Sequence, residues 1–417
     1  MISRFRFNIS IYETLKYLFY IPIFSKKNLE NDLKNKLSKY YEKSDFYFYD
    51  HGRTALYEIL REIKKYTKRK KILINSLTLF EIVNVIIYAG FEPEFVDNKS
   101  CSFETQIDLN TNVNDIAAIV VTHLNGANQN IIELKEKIDL HNKKNDKIFL
   151  IEDCAVSLGS KINNKFVGSY SDYSFLSFNI MKNITSYTGG VLIDNKMNDI
   201  KISTSHFKKP LKINIIKKML FVLMIQFLNT KIIFPFFFKF IKLSHKYSFN
   251  FFLKKYRTDF EVKIDHDFPN KFQNLMHNFQ KFILLKQFDN LEEKQILRIN
   301  KSKIYYEKLK KLNNLDFPQT DFNEKNIFLD FPIICKSKNI QNSLFKYLMD
   351  KQIDVKNYYY ANCSEKGIYN STHKISINSK AISENIIMLP VHEDIKKSYQ
   401  IKISDEIINF FNLYEKN

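Results

Sequence analysis

The chain has no tryptophan and only four cysteines, Cys101, Cys154, Cys335 and Cys363. None of them forms a C-x-x-C pair and the nine histidines do not cluster with them, so neither a zinc site nor a disulfide framework is expected. A reducing, cytoplasmic compartment follows. No apolar run reaches the twenty or so residues needed to cross a bilayer, which argues against a spanning helix. The stretch from Leu15 to Phe24 is apolar and follows basic residues, but it lacks a small-residue cleavage site. It reads as a packing or membrane-touching segment and not as a signal peptide. No internal repeat is visible.

Acids are scarce as well: 45 Asp and Glu stand against 64 Lys and Arg, a formal net charge of +19. Part of this is a usage bias, since Lys, Asn, Ile, Phe and Tyr are all abundant, as in an AT-rich coding sequence. The distribution is more telling. From Lys208 to Arg257 there are twelve Lys or Arg and no acid. The same block carries the apolar runs from Met219 to Leu228 and from Ile232 to Phe238, broken up by Lys231, Lys239 and Lys242. Apolar surface flanked by lysines with acids excluded is the composition of an element lying on an anionic membrane, peripheral to its inner face. A pair of core or dimer-interface helices is the alternative. Nucleic acid is not an expected partner, because the aromatics sit in continuous apolar runs and not in a groove-reading motif.

What is present is concentrated between Ile148 and Asp194. An apolar run (Phe149, Leu150, Ile151) ends on Glu152 and Asp153, and a second (Tyr173, Phe175, Phe178) ends four residues before Lys182. In an open α/β sheet, ligands sit outside the carboxyl ends of the strands, so an acid and an amine at two such tips are candidates for chemistry. Lysine plus carboxylate is what pyridoxal phosphate (PLP) requires: an amine to form an imine with the aldehyde, and a negative charge to keep the pyridine nitrogen protonated. Upstream, Gly52 allows close backbone approach at the start of an amphipathic helix, a ready anion site, and Thr54 offers a hydroxyl beside it.

The string Glu152-Asp153-Cys154-Ala155, Asp172, Ser177-Phe178, Lys182 and Gly189-Gly190 resembles the DegT/DnrJ/EryC1/StrS family of PLP-dependent sugar aminotransferases. The turn from His51 to Leu56, the segment Ser76-Leu77-Thr78, the strand from Ile119 to Gly126 and the turn from Leu389 to His392 extend it over roughly 46–200 and 265–412. The resemblance implies that Lys182 carries the cofactor, Asp153 partners its ring nitrogen and Ser177 holds its phosphate. It further implies cofactor contacts at Gly52, Arg53, Thr54, Leu79, Phe80, Val156 and Asn179, and substrate contacts at His123 and Lys271. No metal is implied. Departures accompany it. Val156 stands where the family has Gln or His, Leu79 follows Thr78 where an aromatic is usual, and Tyr187-Thr188 replaces Gly-Glu before the glycine pair. Lys271 replaces an Arg, with Asn270 near the position of a partner-subunit Asn.

The fold implied is α/β, of the type I PLP aminotransferases. A large domain with a mostly parallel sheet precedes a smaller C-terminal α/β domain, in keeping with the chain length and with strands alternating with helices such as Ile131 to Asn142. The expected division is an N-terminal segment over 1–45, a PLP-binding domain over 46–265 with a basic, apolar insertion at about 208–257, and a small domain over 266–417. The function implied is amino transfer from an amino acid, usually glutamate, to a nucleotide-linked keto sugar for a cell-surface polysaccharide, in a homodimer. Two alternatives stand beside it: a sugar dehydratase, disfavoured because such relatives typically replace the lysine with His, and a membrane-associated protein with altered or lost catalysis, suggested by Val156 and Thr188.

Overall fold

The computed structural model describes every residue except 1, 5–6, 25–26, 110–112, 196–199, 247–266, 319–321, 323–325, 358–359, 370–374 and 416–417. A seven-stranded sheet forms its centre. The strands are β1 (Asp45–Tyr49), β2 (Lys71–Asn75), β3 (Glu92–Val96), β4 (Ile116–Thr122), β5 (Phe149–Asp153), β6 (Tyr173–Ser177) and β7 (Gly190–Asp194). Their order is β1-β7-β6-β5-β4-β2-β3. The five from β3 to β6 run parallel, while β7 runs antiparallel between β6 and β1, and β1 forms the edge.

The parallel strands read as unbroken apolar runs because both faces are covered; every residue of β4 is buried. Side chains alternate between the two faces with the period of two that a strand imposes. Val121, Leu150 and Leu176 enter one apolar cluster, and Val120, Ile151 and Phe175 enter the other. The Gly52–Lys64 helix packs on the second face across β6 and β7.

A three-stranded antiparallel sheet (Leu315–Asp316, Phe331–Cys335, Ile386–Leu389) organises the smaller domain. The helices Leu291–Leu309, Lys338–Asp350 and Lys397–Tyr414 share its apolar core. The change of domain falls later than residue 266. Met276, Leu284 and Phe288 are buried with the large sheet, and the Asn278–Phe288 helix packs on helices near the N-terminus. Nor are residues 1–45 separate: Leu33, Leu37 and Tyr41 lie in the core of the large sheet. The first residues cross to the small domain, where the Arg4 amide donates to Asp354 (2.9 Å) and its guanidinium to the Val355 carbonyl (2.6 Å).

The basic block forms two helices, Lys212–Leu228 and Phe234–Lys246. The first lies beside the Ile11–Phe24 helix, burying Ile215, Met219 and Val222 with Tyr17, Ile21 and Phe279. The second buries Phe234 and Phe238 against Met349 of the small domain. One stripe of each helix is thus core; residues 247–257 of the block lie outside the described residues.

Glycine has a specific task at the edge of the sheet. A Cβ on Gly190 would lie 2.3 Å from the His51 carbonyl carbon and oxygen and 2.4 Å from the Gly52 nitrogen, all backbone. Gly190→Ala should therefore destabilise the protein by about 1–3 kcal/mol or more, as overpacking against backbone does. At Gly367, where an added Cβ meets nothing within 4 Å, alanine should be close to neutral. Urea unfolding midpoints of the two variants check the contrast.

Candidate active site

The tips of β5 and β6 and the first turn of the Gly52–Lys64 helix converge at one end of the sheet. Gly52 packs so closely on β6 that a Cβ there would lie 3.0 Å from the Ser177 Cβ and 3.1 Å from the Leu176 carbonyl. Gly189, at φ +144°, bridges to His51, and Gly190 leaves room for the same turn. The Thr54 amide turns back to the His51 carbonyl (3.1 Å), and the earlier amides of this turn, beyond the reach of any intrahelical carbonyl, lie with the positive end of the dipole beside the Ser177 hydroxyl. A phosphate fits that chemistry.

Asp153 ends β5 and is buried. One carboxylate oxygen accepts from the Ala155 amide (2.9 Å), while the other has only a 3.5 Å contact from the Thr122 hydroxyl. Burial raises its pKa above the usual carboxylate range, against the pull of Ala155, Lys182 and His123. Such a carboxylate is set up to receive a cation.

Lys182 lies in the turn after β6. Its amide donates to the Asn179 carbonyl (3.0 Å), and the Asn8 side chain donates to the carbonyls of Lys182 (2.7 Å) and Asn183 (2.6 Å). Removal from water lowers its amine to about 8, opposed by the negative charges of Asp153 and Glu81 and assisted by Lys356 and Arg53. Near-neutral pH therefore supplies an appreciable fraction of neutral amine, which an ordinary lysine does not. The pair fits PLP: a carboxylate for the ring nitrogen, an amine for the aldehyde and a helix terminus for the phosphate.

Other expected residues are placed differently. Thr54 is buried and its hydroxyl donates to the Phe272 carbonyl (2.8 Å), which ties the helix to the Asn270–Phe272 turn and withdraws that hydroxyl from a phosphate. Arg53 lies over the Phe272 ring (4.6 Å) and faces Glu81 (3.7 Å). Lys271 is exposed and lies over the same ring (5.0 Å), so the two cations frame one aromatic. The Asn179 side-chain oxygen accepts from the Ile180 amide (2.8 Å). Leu79 caps the Phe80–Tyr88 helix in extended conformation, and Phe80 packs toward Val83 and Tyr369. Val156 is buried in the turn after β5.

His123 does not offer a nitrogen to substrate. It is wholly buried, with Nε2 2.9 Å from Glu152 and Nδ1 accepting from the Gln129 amide (3.2 Å). Its partner Glu152 also accepts from the Gly168 amide (2.8 Å), the Tyr170 amide (3.0 Å) and the Ser171 hydroxyl (2.8 Å). Burial alone would raise this carboxyl, yet those donors hold it below the usual range. His123, Glu152 and Cys154 bring their ligand atoms within 4.8 Å of one another, but the donors already around Glu152 account for the grouping.

Three site residues carried no motif. Glu81, in the first turn of its helix, has a buried carboxylate oxygen without a partner and acts electrostatically on Lys182. Its position three residues after Thr78 was the available signal. Lys356 arrives from the small domain, held by Asp330 at 2.5 Å, and nothing local marks it. Asp50 accepts from the Thr188 hydroxyl (2.6 Å) and the Gln280 amide (3.1 Å), so Thr188 serves a hydrogen-bond network at the base of the glycine pair.

Because the Asp153 charge raises the Lys182 pKa, removing it should lower it. In cofactor-free protein, acylation of Lys182 followed by mass spectrometry should titrate with a midpoint near 8. In Asp153→Asn the midpoint should move to lower pH. An unmoved midpoint would mean that the two groups do not share a field.

Comparison with known proteins bears on the same residues. The profile of the DegT/DnrJ/EryC1/StrS aminotransferase family matches residues 24–205 and 257–408. The helices Lys212–Leu228 and Phe234–Lys246 fall between the matched segments. GDP-perosamine synthase of Escherichia coli O157:H7 is 30% identical over 175 residues, which is 42% of this chain and 46% of that protein. A UDP-4-amino-4,6-dideoxy-N-acetyl-beta-L-altrosamine transaminase of Campylobacter jejuni (strain 81-176) is 36% identical over 149 residues, 33% of this chain and 38% of its own. The alignments thus span less than half the length of these curated relatives. Helicobacter pylori PseC, described as an aminotransferase involved in the biosynthesis of pseudoaminic acid, superposes with a TM-score of 0.69 over 96% of both chains at 16% identity. The PLP form of Spr1654 from Streptococcus pneumoniae, described as a putative sugar aminotransferase, gives 0.70 over 97% of this chain and 98% of that one, also at 16%. At such identities the likeness establishes the fold, a large domain with a mainly parallel sheet followed by a smaller one.

Proposed function

The chain belongs to the DegT/DnrJ/EryC1/StrS aminotransferase family, and on that basis we propose that it is a PLP-dependent aminotransferase acting on a nucleotide-linked keto sugar. The product would serve a cell-surface polysaccharide. The observation that carries this reading is the opposition of Lys182 and Asp153 at the tips of neighbouring buried strands, beside a glycine-lined helix terminus. Support for the substrate class comes from the curated relatives, whose names specify GDP- and UDP-linked chemistry.

When bound, PLP supplies an electron sink conjugated to the reacting amine. The remaining tasks fall to the protein. Asp153 keeps a negative charge beside the ring nitrogen, and a pyridinium there would in turn favour the ionised carboxylate. Ser177 and the first-turn amides of the Gly52–Lys64 helix would hold the phosphate. Lys182, whose amine is lowered to about 8 and so is partly neutral near pH 7, would take the proton from the donor's α-carbon, and in the second half-reaction would return one at the sugar's former keto carbon. Arg53, Lys271 and Lys356 supply positive charge for the carboxylates of a donor such as glutamate or for the substrate's diphosphate. A homodimer is part of the same reading. Retention of Lys182 speaks against the dehydratase alternative, and the network made by Thr188 gives that residue a structural reason in place of lost catalysis.

Purified holoenzyme should absorb in the visible range and lose that band on addition of glutamate. Borohydride reduction and peptide mapping should place the pyridoxyl group on Lys182, and a label on any other lysine would overturn the assignment. Lys182→Ala should lower kcat by at least about 10²-fold, the usual scale of a positioned acid–base group. Asp153→Asn should keep most of the cofactor while losing turnover. If its bound fraction turns over normally, Asp153 is structural.

A further inference from the structure

The two helices that lie side by side at the N-terminus and in the basic block carry more apolar surface than they bury. On Ile11–Phe24, Thr14, Tyr17 and Ile21 face inward, while Tyr12, Leu15, Phe19 and Ile23 form a second stripe at helical spacing that is exposed. On Lys212–Leu228, Ile215, Met219 and Val222 face inward, while Ile213, Leu220, Met224 and Phe227 are exposed. Both inward stripes enter one cluster, so both outward stripes turn away from the same core. Phe19 is 79% exposed and Phe227 60%. The pattern continues into the next helix with Phe236 at 70%.

We propose that this pair of helices, drawn from two distant parts of the chain, is a single platform that docks on an anionic lipid bilayer without crossing it. Among the described residues no helix is long and apolar enough to span a membrane, so attachment would be to one face. Charge selects lipid over a second copy of the chain. Residues 208–246 contain nine lysines and no acid, and Lys16, Lys212, Lys217 and Lys231 are exposed on or beside the platform. A two-fold interface would set that patch against itself, lysine facing lysine, with Glu13 the one acid on the two helices to compensate. An anionic surface matches both halves of the composition: apolar side chains enter the boundary region and lysines meet the headgroups.

The same placement accounts for Tyr187, the residue next to the glycine pair that departs from the family pattern. Its ring is buried in the shared cluster and its hydroxyl lies 3.1 Å from that of Thr14, at φ +70°. The underside of the platform is thereby joined to the strand end that forms the catalytic tip. The proposal is independent of the reaction assigned above, and its test does not use activity.

The full chain should sediment with phosphatidylcholine vesicles containing phosphatidylglycerol, far less with phosphatidylcholine alone, and less again in high salt. Lys217→Glu with Lys231→Glu should weaken anionic binding by at least roughly five-fold for each lysine removed, leaving neutral vesicles unaffected. Phe19→Asp with Phe227→Asp should abolish vesicle binding while the unfolding midpoint stays near that of the parent. Absence of sedimentation with either vesicle, or binding unchanged in both double variants, would overturn the proposal. So would a fall in subunit number for Phe19→Asp with Phe227→Asp by light scattering, since that face would then be covered by a second copy.

Discussion

Everything at the catalytic end depends on how closely one helix terminus can approach the sheet. The His51-Gly52 backbone sits against β7 at a distance that no side chain at position 190 would permit, and Gly52 sits close, though less tightly, on β6, where a Cβ would lie 3.0 Å from Ser177. Only at that separation do the free amides, the Ser177 hydroxyl and the turn carrying Lys182 share one space. A helix terminus concentrates donors and dipole within its first turn, and the effect fades beyond it. Displacing this helix by the width of a methyl group would leave the same residues present without a common target.

Neighbouring carboxylates on β5 show how far environment sets chemistry. Glu152 and Asp153 are both buried and differ by one position, so the pleat sends them to opposite faces. On one face, Glu152 meets His123, two backbone amides and a serine hydroxyl and is held ionised as a strut. On the other, Asp153 has one good donor and a lysine in electrostatic reach, and its pKa is raised. The first is finished within the fold. The second is left incomplete, as a binding group must be.

The strand tips, Lys182, the glycine pair and the α/β order were legible in the sequence because each is a local pattern whose geometry follows from period and spacing. The order of the parallel strands and the antiparallel edge were not, since pairing is decided by tertiary contact. Thr54 and His123 illustrate a second limit. Both lie in segments with the right residue types, yet their polar atoms are taken up by Phe272, Glu152 and Gln129, partners that only folding brings near. Lys356 is the converse, a basic residue without a motif that the other domain delivers. The basic block shows a third: composition correctly marked it as amphipathic, but the division into an inward and an outward stripe required knowing what each helix packs against.

The path of the first ten residues has a mechanical meaning. Arg4 is pinned to Asp354 and Val355 in the small domain, the Ser3 carbonyl accepts from His392 Nε2 there (3.0 Å), and Asn8 reaches back to the turn that holds Lys182. Three residues of chain lie between Arg4 and Asn8. Four such steps span at most about 13–14 Å, at about 3.3–3.6 Å per residue. Rotation of the small domain that parted the two attachment points beyond that reach would pull on the very carbonyls that set the lysine's turn, so one short tether bounds both the spacing of the two domains and the pose of the catalytic amine.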